Sequence, residues 1–235
     1  MRHEALALFE QGIKTRYGFD VVVGIDEAGR GSLAGPVTAG ACAITDPRDT
    51  AFINDSKLLS PRQRQQALAA LPAHAVFTTA SASAAEVDEL GIVGATFRAM
   101  ERALKLEMPC VYARWGPNIR VGVVVDGSLF PPFLAGNNAV TAVAIVDADA
   151  CVLSVAGASI AAKVVRDGFM RELGRRIHGY GFETNAGYGT RRHIEALRTK
   201  GPSSEHRRTF VVKELLQEEA LPFETQCQSE SRKRR

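Results

Sequence analysis

Three apolar stretches of this 235-residue chain end in acidic side chains, and this pattern is the first indication of chemistry. A single aspartate after a strand usually caps the following turn or helix, but carboxylates gathered at one place repel one another and need a neutralising cation. Oxygen ligands without Cys or His favour Mg²⁺ or Mn²⁺ over zinc. Such clusters are typical of two-metal phosphoryl chemistry. The candidate ligands are Asp26 with Glu27, then Asp126, then Asp147 or Asp149.

A glycine-flanked arginine follows the first acid pair, in the order Gly29, Arg30, Gly31. Glycines leave the backbone N–H and C=O groups open to a ligand, while the guanidinium can bind a phosphate. The glycines at 29, 31 and 35 also approach a dinucleotide-binding fingerprint. That alternative is disfavoured because the two adjacent acids would repel a pyrophosphate and Pro36 falls where the following helix should run.

Alternating strands and helices have to position these groups. Because side chains alternate faces along a strand, Asp26 and Glu27 can face one site only if the strand ends or bulges between them. Asp147 and Asp149, two residues apart in a strand, would share a face, so spacing alone leaves both open. The predicted strands are 21–25, 37–44, 119–127 and 138–150, and the predicted helices are 60–71, 83–106 divided near Gly91, 155–176 and 191–201.

Composition sets wider limits. With 46% hydrophobic residues, the chain can form one large domain, which we predict over residues 1–217, and residues 218–235 form a disordered, basic-tipped tail. The net charge of +3 permits nucleic-acid binding without requiring it. Four isolated cysteines and no signal-peptide or membrane-spanning pattern indicate a cytoplasmic protein that does not contact a membrane.

Six blocks of the sequence, in this order, closely resemble bacterial ribonuclease HII, the type 2 ribonucleases H. The resemblance implies an α/β fold with a ribonuclease H-like mixed sheet flanked by helices, and a helical C-terminal portion. It also implies cleavage of the RNA strand of RNA–DNA hybrids and of single ribonucleotides embedded in duplex DNA. The blocks are GIDEAGRGSLAGPV (24–37), INDSKLLS (53–60), VVVDG (123–127), ASIAAKVVRD (158–167), GYGT (187–190) and GPSSEHRRTF (201–210).

By resemblance, the catalytic and metal-binding acids are Asp26, Glu27, Asp126 and one further aspartate. Its position relative to the ASIAAK block assigns this role to Asp149. The family commonly has Lys-Gly-Asp at 147–149, so Asp147 replaces a positive side chain beside the site, which leaves the local electrostatics open.

The resemblance also implies substrate-binding residues. Gly29, Arg30 and Gly31 match the segment that contacts the sugar 2′-hydroxyl at the RNA-to-DNA junction, a group that both donates and accepts hydrogen bonds. Tyr188 matches a tyrosine that packs on the neighbouring deoxyribose. Lys57 matches a lysine on the phosphate side, with a merely solvated lysine as the alternative.

Other matching positions are expected to stay outside the site. Ser32, Leu58 and Gly91 depart from the family's usual proline, lysine and asparagine without touching the acids. His193 and His206 are expected to be structural residues on the surface, because metal-activated water needs no histidine base.

The predicted activity is therefore two-metal hydrolysis with Mg²⁺ or Mn²⁺, on the 5′ side of a ribonucleotide, leaving 3′-hydroxyl and 5′-phosphate ends. The expected partners are RNA–DNA hybrids and ribonucleotide-containing duplex DNA, bound by a monomer. Three alternatives remain: a nuclease that acts mainly on long hybrids, a nucleic-acid-binding module without catalysis, and the disfavoured dinucleotide-binding protein.

Overall fold

The computed structural model of the protein describes residues 2–54, 56–136 and 140–210. The predicted tail at 218–235 lies outside these residues, as does the end of the predicted catalytic domain. The strands are β1 (Val21–Ala28), β2 (Val37–Ile44), β3 (Ala75–Ala82), β4 (Val121–Asp126) and β5 (Val140–Ile145). The helices are α1 (Arg2–Tyr17), α2 (Pro61–Ala70), α3 (Ala84–Trp115), α4 (Leu153–Arg176), α5 (Phe182–Asn185) and α6 (Arg191–Lys200), and short 3₁₀ turns cover Leu71–Ala73, Pro132–Leu134 and Ala148–Ala150.

The strands form one mixed sheet in the order β3-β2-β1-β4-β5. β2 pairs antiparallel with both β1 and β3, whereas β4 pairs parallel with both β1 and β5. The predicted mixed α/β fold is confirmed. β3 was not predicted from the sequence, because its small and polar residues (AVFTTASA) give little hydrophobic alternation. It forms by pairing along the whole of β2.

Helices cover both faces of the sheet. α3 packs on one face, where its apolar side chains meet alternate residues of the central strands, such as Val23 and Val123. The predicted division of this helix at Gly91 is confirmed, since that residue has φ 69° and ψ 163° inside α3. In the part of the chain that the structure describes, no helix is long and apolar enough to cross a membrane.

α4 lies on the opposite face, unusually close to the strands. A Cβ on Gly24 of β1 would collide with the backbone of Val155, and one on Gly40 of β2 would collide with the carbonyl of Ala158. Two glycines in the middle of buried strands therefore let the helix backbone rest directly on the sheet. This contact brings the polar side chains of α4 to the acidic end of β1.

Candidate active site

Asp26 and Glu27 are neighbouring residues of β1, and their side chains leave the strand on opposite faces. The antiparallel register with β2 runs unbroken from Asp26 opposite Gly40 to Ala28 opposite Thr38. The expectation that β1 ends or bulges between the two acids is therefore wrong. They border one cleft because the parallel pairing with β4 stops at Ile25, which leaves the last residues of β1 open on that side.

Asp126 ends β4 beside Asp26, as predicted for a strand-terminal acid. The pairing of Ile25 with Val125 places the two aspartates next to each other across parallel strands. The 3₁₀ turn at 148–150 closes over Asp126, whose Oδ1 accepts a 2.7 Å hydrogen bond from the N–H of Ala148. The same turn carries Asp149 to the site.

The predicted strand 138–150 is too long, because β5 ends at Ile145. Asp147 adopts a left-handed conformation (φ 55°) and its side chain is exposed, whereas Asp149 is 2% exposed. The two aspartates therefore do not share a strand face, and that expectation is wrong. The turn separates them, and only Asp149 points into the protein beside Asp126.

Burial and mutual repulsion oppose ionisation of the clustered acids. Burial raises the pKa of Asp26 well above its usual value, the charges of Glu27 and Asp126 raise it further, and a hydrogen bond with the Ser159 hydroxyl opposes the shift. Burial also raises the pKa values of Glu27 and Asp126. The neighbouring guanidinium of Arg30 offsets part of the shift at Glu27, with Nη1 3.2 Å from Oε1.

These residues fit a divalent cation by their chemistry. The donors are all carboxylate oxygens, and a cation would relieve the repulsion that raises their pKa values. Oδ2 of Asp149 is buried, and the ammonium of Lys57 lies 3.0 Å away as an ion pair. Among the described residues, no three His, Cys, Asp or Glu side chains are oriented to hold one ion together. Asp26, Glu27 and Asp126 line a common cleft without forming a closed ligand cage, and Asp149 lies buried behind Asp126.

The glycine-flanked arginine forms a turn directly after β1. Gly29 has φ 93°, and a Cβ there would collide with the buried guanidinium of Arg166. Gly31 is exposed and has open space where its Cβ would lie. The two glycines therefore serve different purposes: Gly29 allows internal packing, and Gly31 keeps the outer side of the turn bare.

Lys57 and Tyr188 lie at the same cleft as the acids. A cavity of about 300 Å³ is bordered by Asp26, Glu27 and Asp126 together with Gly29, Lys57 and Tyr188. The Lys57 side chain is largely exposed apart from its ion pair with Asp149. The ring of Tyr188 lies 5.3 Å from the guanidinium carbon of Arg166, which forms a cation–π contact with it.

Two polar residues of α4 that border this cleft, Ser159 and Lys163, were not predicted from the sequence. Ser159 contacts Asp26 and hydrogen-bonds to Ser56 (Oγ to Oγ, 2.8 Å), and Lys163 lies 5.6 Å from the ring centre of Tyr188. Arg166 follows Ser159 and Lys163 at helical spacing, so the three share one face of α4. The 159, 163, 166 periodicity within ASIAAKVVRD was the available signal.

The histidines are internal, not on the surface as expected. His193 and His206 are 0% and 2% exposed, with their Nε2 atoms 3.0 Å apart. Burial, together with the adjacent His193, lowers the pKa of His206 to about 4. His193 also contacts the carbonyl of Tyr188 through Nδ1 at 2.9 Å, so the pair supports the Tyr188 turn from inside.

The mixed sheet, the helices on both faces and the acidic cleft at the end of the two central parallel strands define a ribonuclease H-like protein. The chain belongs to the ribonuclease HII family, a family of nucleases, because the family's sequence model matches residues 23–214. The ribonuclease HII of Cereibacter sphaeroides is 44% identical over 220 residues, which cover 93% of this chain and 94% of that protein. The ribonuclease HII of Burkholderia thailandensis is 42% identical over 194 residues, which cover 82% of this chain and 84% of that one.

Solved structures show the same fold. A ribonuclease H2 from Pyrococcus horikoshii superposes with a TM-score of 0.61 at 26% identity and covers 85% of this chain and 98% of that chain. The ribonuclease HII in a PCNA complex from Archaeoglobus fulgidus gives a TM-score of 0.60 at 25% identity and covers 81% of this chain and 94% of that chain. A Bst ribonuclease HIII in complex with Mn²⁺ gives 0.61 at 18% identity, covering 83% of this chain and 69% of that chain, which supports the fold alone.

Proposed function

We propose that this ribonuclease H cleaves the RNA strand of RNA–DNA hybrids and cuts duplex DNA on the 5′ side of single embedded ribonucleotides. The ribonuclease HII family depends on divalent metal ions and acts on RNA–DNA hybrids. One observation carries the finer proposal: the cleft that gathers the acids is also bordered by Gly29, Lys57 and Tyr188. Three of the acids proposed for hydrolysis and the tyrosine proposed for sugar recognition thus border one cavity, and Gly31 lies outside its lining.

Asp26, Glu27, Asp126 and Asp149 would hold the metal ions, either Mg²⁺ or Mn²⁺. Two such ions would supply a nucleophile at neutral pH and stabilise the leaving oxygen, and the expected products carry 3′-hydroxyl and 5′-phosphate ends. The protein positions the acids through the end of β1, the end of β4 and the 3₁₀ turn at 148–150. The Ser159 hydroxyl orients Asp26 from the α4 side.

The turn at 29–31 and Tyr188 would recognise the sugar at the junction. The bare outer side of Gly31 allows a 2′-hydroxyl to approach the backbone, and only ribose carries that group. The ring of Tyr188 packs on the adjacent deoxyribose, where a 2′-hydroxyl would press against it. The largely exposed side chain of Lys57, which forms an ion pair with Asp149, would contact the phosphate side of the substrate.

A cleavage assay tests this function. The wild-type protein is incubated with all-DNA, one-ribonucleotide and all-RNA-strand duplexes, each with Mg²⁺, with Mn²⁺ and with chelator. We expect metal-dependent cuts 5′ to the single ribonucleotide, cuts in the RNA strand of the hybrid and none in all-DNA. Asp126→Asn is the control for a contaminating nuclease.

The alternatives give different products. Cleavage of long hybrids but not of the one-ribonucleotide duplex would reject the junction activity, and binding without cleavage under every condition would indicate a module without catalysis. The proposal keeps two further expectations from the sequence, namely that the protein acts as a monomer and in the cytoplasm.

A further inference from the structure

The segment after α6 inserts a fully buried cation behind the glycine–arginine turn. Arg207 is 0% exposed, and its guanidinium donates to three backbone carbonyls: Nη1 to Arg30 at 2.8 Å and to Ser32 at 2.9 Å, and Nε to Gly35 at 2.9 Å. The backbone N–H of Arg207 donates to the carbonyl of Leu33 at 2.8 Å. One residue from the C-terminal part of the chain therefore holds four carbonyls of the turn that follows β1.

A buried guanidinium is costly unless it is well paired. Burial lowers the pKa of Arg207 to about 10, helped by repulsion from Arg166, so the side chain is still a cation at neutral pH. It forms no ion pair with any carboxylate in the part of the chain that the structure describes, and its Nη2 is buried without a hydrogen-bond partner. An apolar side chain could fill this space but would leave the inward carbonyls unsatisfied. Arg207 therefore does more than occupy space, because its hydrogen bonds fix the direction of these carbonyls.

That geometry follows from the planar trans peptide, in which the C=O of one residue points opposite to the N–H of the next. Because Arg207 holds the carbonyl of Arg30 inward, the N–H of Gly31 is directed outward. Gly31 is exposed, and its N–H donates to no group among the described residues. This is the outer side of the turn, where no Cβ stands in the way.

The second carbonyl connects the turn to Tyr188. Because Arg207 holds the carbonyl of Ser32, the N–H of Leu33 is directed the opposite way, and it donates to the carbonyl of Gly187 at 2.8 Å. Gly187 precedes Tyr188. The same guanidinium therefore orients one group at the turn and ties the turn to the loop that carries the tyrosine.

We infer that Arg207 is a positioning residue for sugar discrimination: it turns the Gly31 N–H toward the substrate and fixes the distance between this turn and Tyr188. The inference rests on the proposed function, since it assigns a purpose to an N–H group that would contact the ribose. Arg207 itself does not contact the substrate. Its effect should appear in the recognition of ribose and not in general affinity for DNA.

The test compares Arg207→Lys and Arg207→Gln with Arg208→Gln. Lysine keeps the charge but carries its donors on one nitrogen, so it cannot reproduce the separate contacts that Nη1 and Nε of Arg207 make. The exposed neighbour Arg208 is the matched control. Cleavage of the one-ribonucleotide duplex is normalised to the fraction of protein that binds all-DNA duplex, which cancels differences in folded fraction. We expect kcat/KM to fall by about tenfold or more in both Arg207 variants, with the all-DNA Kd of the competent fraction unchanged. Arg208→Gln should keep the wild-type value.

A spectroscopic measurement on the wild type does not depend on how well the variants fold. The ¹⁵N–¹H signal of Gly31 should exchange rapidly with solvent in the free protein, and Leu33 should be protected. In chelator, a one-ribonucleotide duplex should shift the Gly31 signal and an all-DNA duplex should not.

Failure of the role inferred for Arg207 and failure of the proposed function give different results. If the wild type cuts at ribonucleotides and Gly31→Ala loses this activity while folded Arg207→Lys keeps the wild-type normalised rate, Arg207 is not a positioning residue. A protected Gly31 N–H in the free protein would overturn the inference as well. Absence of any ribonucleotide-dependent cutting by the wild type would instead reject the proposed function.

Discussion

The guanidinium of Arg166 occupies the space that a side chain on Gly29 would need. Arg166 is fully buried, donates to the carbonyls of Pro36 and Ala186 at 3.0 Å each, and donates to the Ser32 hydroxyl at 2.7 Å. A residue of α4 thereby connects the end of β1 to the Tyr188 loop. The glycine before Arg30 is required for packing, whereas the glycine after it is not.

Alanine at the two glycines should therefore affect different properties of the protein, stability at position 29 and cleavage at position 31. Gly29→Ala should lower the free energy of unfolding by about 2 kcal/mol or more, because the new Cβ collides with a buried side chain at positive φ. Gly31→Ala should leave stability unchanged and lower kcat/KM on a one-ribonucleotide duplex about 100-fold or more, equivalent to ~3 kcal/mol. Denaturant unfolding and the cleavage assay measure the two effects. Equal losses of Gly31→Ala in cleavage and in all-DNA binding would contradict sugar recognition.

Removal of a central acid should abolish activity without unfolding the protein. Asp126→Asn should reduce metal-dependent cleavage by several orders of magnitude, because a carboxylate would be lost from the metal site. In chelator, its melting temperature should equal or exceed that of the wild type, because burial and repulsion oppose the charges of this cluster. Wild-type turnover by Asp126→Asn with Mg²⁺ would show that the cleft is not the active site.

The two aspartates of the 3₁₀ turn offer a matched pair. Asp149→Asn should abolish cleavage, because Asp149 is the buried one beside Asp126, whereas Asp147→Asn should only modulate the rate, since its side chain is exposed. Both variants are compared in one assay at fixed salt. The reverse result would assign the metal-binding role to Asp147.

Tyr188 should matter more at a junction than within a hybrid. Tyr188→Ala should reduce cleavage of the one-ribonucleotide duplex more than cleavage of an all-RNA strand, because packing on the deoxyribose exists only at the junction. Tyr188→Phe keeps the ring and should behave like the wild type. Equal loss of Tyr188→Ala on both substrates would mean that the ring supports the fold through its contacts with Arg166 and Lys163.

Glu107, which lies outside the active-site cleft, should make the stability of the protein depend on pH. Its carboxyl group is fully buried on α3, and the nearby Thr78 hydroxyl, which donates to the carbonyl of Ala103, offsets only part of the effect of burial on its pKa. Burial raises its pKa to about 7 from an ordinary 4.5. Because the folded-state pKa is the higher one, the protonated form stabilises the fold, and this contribution is lost as the pH rises from about 4.5 to 7.

Glu107→Gln should therefore be more stable than the wild type at pH 8, by up to about 3 kcal/mol, with a smaller difference at pH 5. Urea unfolding at both pH values gives the comparison. An equal difference in the free energy of unfolding at both pH values would contradict a raised pKa of Glu107.

The local pattern of the sequence is sufficient for much of this protein. The apolar runs before Asp26 and Asp126 predict buried strands that carry acids toward one end of a sheet, because strand formation depends on short-range hydrophobic patterning. The break of α3 at Gly91 follows from one glycine. The ordered blocks identify the family by resemblance, which the matched residues 23–214 confirm.

Tertiary structure decided what spacing could not. β5 stops at Ile145, so burial and not strand alternation distinguishes Asp149 from Asp147. Asp26 and Glu27 border one cleft from opposite faces because the neighbouring strand ends beside them.

Two buried arginines also could not be predicted from the local sequence. Arg166 and Arg207 are charged residues, which local patterning assigns to the surface, yet both are fully buried behind the turn at 29–35. Their contacts with Ala34 and Gly35 of that turn span 132 and 172 residues of sequence. Only the close approach of α4 to the sheet and the return of the C-terminal segment to β1 provide the carbonyls that pair with them, so their place in the site depends on long-range packing and not on the sequence around them.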